Sequence, residues 1–90
     1  MKSDLEEYLN KKIVIDSTAS WIYIGVLEKV TDHCVVLSDV DAHDNADIAT
    51  SKEIYIFENK TTGIKSNRKT VHINLLHVAS FSLLDDVKEF

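Results

Sequence analysis

The chain of 90 residues has no proline, two glycines and one cysteine, and its ten Lys and Arg are outnumbered by fifteen Asp and Glu. Each scarcity excludes something. A single thiol, Cys34, allows neither an intramolecular disulfide nor a multi-cysteine zinc site, and it suits a reducing compartment. A formal net charge of -5 argues against a protein that grips nucleic acid chiefly by neutralising phosphates, so such binding would need a local basic patch. No apolar run approaches the ~20 residues of a membrane span, and MKSDLEEYLNKK (1 to 12) carries acids where a secretion signal carries an apolar core. The expectation is a cytoplasmic protein without a membrane partner. The missing prolines matter too, because edge strands are commonly blunted by proline or charge.

What remains reads as one mainly β domain over residues 1–90. Ser3 followed by Glu6 is a capping-box pattern, and Leu5, Tyr8 and Leu9 fall at i, i+3 and i+4, so a short helix is predicted over 3–10 within an N-terminal segment 1–12. Strands follow at 12–16, 21–30 and 33–40, joined by turns at STAS and TD as a meander. After a polar stretch (41–51), KEIYIFEN (52–59) and RKTVHI (68–73) read as an elongated, interrupted fourth strand or an added hairpin. NLLH is a tight turn, VASFSLL (78–84) the last strand, and 85–90 a charged tail, which confines the barrel to 13–84. Trp21 to Ile24, Cys34 to Leu37 and Ile54 to Phe57 are apolar on both faces. Both faces therefore need cover, from a curled sheet, from a second chain, or from both.

Residues in this order resemble the Sm-like (LSm) family of small barrels. YIGVLEKVTDHCVVLSDVD is similar to its first motif: Gly25 and Leu27 stand at G-x-L, Asp32 in the acidic turn, and Leu37 with Asp39 at L-x-D. VHINLLHVASFS is similar to its second motif, with Ile73 at the isoleucine and Val78, Ala79 and Phe81 continuing it. W-x-Y-I-G-x-L, D-x-H-D and a final L-D-D-V further resemble a bacterial and phage branch of the family. The resemblance implies a strongly bent, five-stranded antiparallel, SH3-like barrel with a short N-terminal helix. It implies assembly into homo-oligomeric rings of about five to eight subunits, the fourth strand of one protomer pairing with the fifth of the next. Tyr55, Ile56 and Phe57 with Val78 and Phe81 are the expected edges. It also implies single-stranded RNA as partner, with Asp32, His33 and Asn74 near the pore. Asn74 and Leu75 replace the Arg-Gly of the second motif, so the family's uridine pocket does not carry over, and an adaptor ring without RNA binding is the alternative.

Three further features bear on function. DVDAHDNAD (39–47) packs four aspartates and one histidine into nine positions. As a calcium loop it fails in both registers: from Asp39 the sixth position is Asp44 where glycine is required, and from Asp41 the twelfth is Lys52. A monomeric barrel with a metal or enzymatic site at 39–47 stays as a second alternative. The plainer expectation is that Asp39 ends the third strand and Asp44-Asn45 begin a turn through side-chain-to-backbone bonds. No nucleophile, base and orienting group are linked by a motif, so no catalytic residue, cofactor or metal ligand is assigned. Lys60, Lys65, Arg68 and Lys69 lie within ten residues without an acid among them, which makes Lys65, Arg68 and Lys69 the expected phosphate contacts.

Overall fold

The computed structural model describes residues 1–47 and 51–89. Five antiparallel strands form one sheet: β1 (Lys12–Ser17), β2 (Trp21–Val30), β3 (Cys34–Asp44), β4 (Arg68–Asn74) and β5 (Val78–Leu83), ordered β4-β3-β2-β1-β5. Helix α1 (Lys2–Glu6) precedes them, and α2 (Lys52–Thr62) lies between β3 and β4. Among the described residues no helix is long and apolar enough to cross a membrane.

The meander bends around Gly25. A Cβ there would stand 2.9 Å from the Ser38 carbonyl oxygen and 3.3 Å from Val40 Cα, so only a residue without a side chain lets β2 and β3 come this close. Opposite Gly25 the register slips: Ile24 faces Asp41 while Val26 faces Ser38, so one residue of β2 opposes two of β3. That is a β-bulge, and Asp39 holds it at φ 50, a left-handed conformation that aspartate tolerates better than most residues. Asp39 therefore does not end the third strand; β3 continues through the bulge to Asp44.

The bulge reverses which side chains face which way. Val35 and Leu37 before it, and Val40 and Ala42 after it, all enter the inner core with Leu5, Ile13 and Leu27. The period-two alternation resumes with the opposite parity, so Asp41 and His43 emerge on the other face of the sheet.

That other face is apolar too, and the chain covers it itself. Val14, Ile22 and Ile24 pack against Ile56 of α2 and Leu84, with Tyr55, Ile64 and Val87 alongside. Residues 52–59 are thus a helix and no part of a fourth strand. Ser51 caps it, its hydroxyl accepting from Ile54 N at 3.3 Å. The face turned to the sheet is Lys52, Tyr55, Ile56, Asn59 and Lys60, at helical spacing. Lys52 Nζ lies 2.5 Å from Asp16 Oδ1, in the geometry of an ion pair and not of an aligned hydrogen bond, and Lys60 Nζ donates to Val87 O at 2.6 Å. Polar residues on the docked face hide the helical period from a sequence reading.

At the N-terminus the helix starts at Lys2 with Met1 as its cap and ends at Glu6, so Ser3 is not the capping residue and the element is shorter than 3–10. Leu5 is its buried anchor, and Tyr8, just beyond, meets Phe81 edge to face at 6.0 Å. Asn10, at φ 66, turns the chain into β1, with reciprocal backbone bonds from Asn10 N to Leu27 O and from Leu27 N to Lys11 O.

Candidate functional site

Two recesses collect polar side chains. The first, of about 160 Å³, lies between β3 and α2 and is lined by Asp41, His43, Tyr55, Asn59 and Lys65 among others. The Asp41 side chain is 3% exposed, and its Oδ1 lies 2.5 Å from His43 Nδ1, while Tyr55 Oη lies 2.6 Å from the same nitrogen. One ring nitrogen cannot serve both as a donor and as an acceptor. If Nδ1 accepted from Tyr55, the buried carboxylate would lose its imidazole donor, so the arrangement that satisfies all three groups has Nδ1–H and the Tyr55 hydroxyl both donating to Asp41. His43 Nε2 then has no partner among the described residues, on a half-exposed ring.

Burial, and next the bond to the Asp41 carboxylate, push the Tyr55 phenol far above its ordinary value of 10.0. The sign follows from linkage: the folded chain holds this proton more tightly than the unfolded one, so the stabilisation is complete below about pH 10 and is lost as pH rises beyond it. Native protein and Tyr55→Phe should therefore develop the same phenolate absorbance up to about pH 11, the wild type gaining its extra phenolate only on alkaline unfolding. Extra absorbance in the native wild type below that point would show that Tyr55 is not held by Asp41.

The rest of DVDAHDNAD behaves as a turn. Asp44 accepts from the Ser20 hydroxyl and from Ala46 N at 3.0 Å, which in that order hold its carboxyl below the usual range, and a single 3-10 turn (Asn45–Asp47) follows. Among the described residues no three of His, Cys, Asp and Glu stand close enough to share a metal ion. The stretch is thus a strand in its first half and a turn in its second. The pairing of Asp41 and His43 with Tyr55 escaped the sequence reading because it depends on the bulge and on α2.

The second recess, about 380 Å³, opens at the end of the barrel near the β4–β5 turn, and Ser17, Tyr23, His72, Asn74 and His77 line it. The turn between β2 and β3 is tied to the turn after β4 by Leu75 N donating to His33 O at 2.9 Å, and Cys34 pairs with Asn74 in the ladder. His33 and Asn74 are therefore brought together. Asn74 Oδ1 accepts from Leu76 N at 2.9 Å, leaving its amide N–H groups without a partner among the described residues. Asp32 is exposed nearby and bonds Lys2 Nζ at 2.9 Å, which holds its carboxyl below the usual range.

The expected phosphate contacts stand elsewhere. Arg68 and Lys69 begin β4 and Asn74 ends it, a strand of 7 residues and so roughly 20 Å in length. The Arg68 guanidinium sits 5.9 Å from the centroid of the Trp21 ring, Lys65 lines the first recess, and Lys60 is spent on the C-terminal segment. The basic residues do not form one patch with His33 and Asn74 within a protomer. The expected interface residues also need correction. Tyr55, Ile56 and Phe57 lie on α2, and Ile56 is buried against the chain's own sheet, so none of them is a strand edge. The edges are β4 and β5, the latter carrying Val78 and Phe81.

This architecture is the Sm-like fold. A solved structure of the Pyrococcus abyssii Sm protein in complex with a uridine heptamer matches it with a TM-score of 0.62, over 90% of this chain and 93% of that one, at 15% sequence identity. At that identity the likeness speaks for the fold alone. No protein-family model matches the sequence, and no curated protein does.

Proposed function

We propose that the chain assembles head to tail into an Sm-like ring of about five to eight subunits that binds single-stranded RNA, acting by binding and not by catalysis. The observation that carries this reading is the junction of two turns at one end of the barrel, where His33 can stack on a base and the free amide N–H groups of Asn74 can bond its edge. Assembly rests on β4 and β5, the two edges of the sheet, and β5 carries neither proline nor charge to keep another strand away. Joining them places β4 of one protomer, with Arg68 and Lys69, beside β5 of the next, and a ring repeats each weak cation once per subunit. The uridine heptamer on the archaeal Sm protein supports the ligand class. The bacterial and phage branch of the family is the proposed source of the sequence pattern, and cytoplasm the proposed compartment.

Light scattering coupled to size exclusion should give about five to eight times the protomer mass of 10.2 kDa. Fluorescence anisotropy should show oligo-U or oligo-A binding at low salt that weakens as salt rises, and that weakens further in His33→Ala with Asn74→Ala. A monomer at micromolar concentration would sink the ring. A ring that binds neither oligonucleotide would leave the adaptor role, which the exposed Leu76 on the β4–β5 turn also suits.

A further inference from the structure

The recess beneath α2 offers acceptors and almost no donors. Asn59 is 5% exposed, its Nδ2 donates to Tyr55 O at 3.1 Å, and its Oδ1 has no hydrogen-bond partner among the described residues. A buried amide oxygen left unpaired is unfavourable, and leucine, with the same branched skeleton and room in the recess for its methyl groups, would serve the fold better on the docked face of α2. Beside it, the buried Asp41 carboxylate is met by the imidazole N–H and the Tyr55 hydroxyl and, among the described residues, by no Lys or Arg. Thr62 Oγ1 donates its one hydrogen to Glu58 O at 2.7 Å and so turns lone pairs to its surroundings. Glu58 and Lys65 are both exposed among the lining residues, and their opposite charges offset each other. The interior is left with one buried negative charge and one unpaired oxygen.

We infer that this recess binds a small primary ammonium group, which donates N–H bonds to Asn59 Oδ1 and to Asp41. Such a ligand matches both features at once: it supplies the hydrogen that Asn59 lacks and a permanent positive charge beside the Asp41 carboxylate, which no Lys or Arg meets among the described residues. The rings of His43 and Tyr55, 4.9 Å apart, add aromatic surface on which a cation is favoured. A volume near 160 Å³ holds about five water-sized groups, which suits an ammonium head with a short tail. A metal ion is the poorer fit, because no three of His, Cys, Asp and Glu gather there among the described residues. The site is separate from the turn junction that carries the proposed RNA contacts, so each stands or falls without the other.

The probe is ethylammonium chloride, titrated into the full chain at constant ionic strength against sodium chloride and followed by NMR of the Asn59 side-chain amide and the His43 ring. Saturable shifts with a Kd in roughly the millimolar range are expected, as suits so small a ligand. Tetramethylammonium has the same charge and no N–H donor, and it should bind at least about tenfold more weakly. Asn59→Leu should keep the fold, with a Tm equal to or above that of the wild type, and bind ethylammonium at least about tenfold more weakly. Lys65→Glu, a change at an exposed position, should tighten binding several-fold. Equal shifts with tetramethylammonium, undiminished binding in Asn59→Leu, or no saturable shift with ethylammonium would each overturn the assignment.

Discussion

Gly25→Ala is expected to lower the Tm by about 5–20 °C, the effect of roughly 1–3 kcal/mol of overpacking in a domain of this size. The two nearest backbone atoms to an added methyl are the Ser38 carbonyl oxygen at 2.9 Å and Val40 Cα at 3.3 Å, and neither can rotate away. Relief requires β2 and β3 to part at the bulge, which strains the ladder on both sides of it. Val40→Ala in the same chain would remove the 3.1 Å contact with Val40 Cγ2 and leave the backbone contacts in place, so rescue should be partial at most. With total stability on the order of 5–15 kcal/mol for natural domains, such a loss is a large fraction of the whole. Thermal or urea unfolding followed by circular dichroism measures it. An unchanged midpoint would mean that the two strands do not approach as closely as described.

Ile56→Asp should cost more, because it places a carboxylate where Val14, Ile22, Ile24 and Leu84 meet the helix. Truncation of a buried isoleucine to alanine alone costs about 2–5 kcal/mol, and a buried charge with no partner adds to that. The expected product is a barrel whose outer face has lost its cover: α2 undocks, an apolar-surface dye binds, and the Tyr55 phenol ionises like an exposed tyrosine. Hydrogen exchange should then show backbone amides of α2 released while those of Leu27, Val35 and Leu37 in the inner core stay protected. If Ile56→Asp changed only the oligomeric mass and left Tyr55 protected, residue 56 would be an inter-subunit contact and the packing described for α2 would be wrong.

The two experiments probe elements of very different legibility. Of the strands around Gly25, β2 could be read directly, because G-x-L and the acidic turn fix where the meander bends, and β1, β2 and β5 fall within a residue or so of their expected bounds, while L-x-D marked the bulge and not the end of β3. The helix at 52–62 could not. Ile54 to Phe57 are four residues of high strand propensity in a row, and tertiary docking overrode that propensity. Its buried face carries Lys52, which reaches an acid, Asn59, which lines the recess, and Lys60, which reaches a backbone carbonyl, so no apolar stripe repeats at helical spacing. The apolar residues on both faces of the sheet were a true signal of two buried faces. The second cover comes from the chain's own helix, so the case for a ring now rests on β4 and β5 alone.

The candidate site at Asp41 and His43 shows a different limit. Nothing in DVDAHDNAD signals that one of its aspartates is surplus to the ladder, because a residue at φ 50 is a conformation and not a composition. Read as plain alternation, His43 would share a face with Leu37, inside the barrel. Aspartate tolerates the left-handed region, but that by itself does not distinguish Asp39 from Asp41 or Asp44.

The bulge at Asp39 also governs how this chain can change length. The connection from Gly63 to Ser66 could gain several residues at small entropic cost, since closing a longer loop becomes only slowly more expensive. One residue gained beside Asp39, with the bulge kept, would instead invert every facing beyond it, setting Val40 and Ala42 beneath the helix and driving the Asp41 carboxylate into an apolar interior that holds no partner for it. Among descendants of this sequence, insertions should therefore gather after α2 and be absent between Leu37 and Ala42, so that β3 acts as a fixed reading frame for the recess.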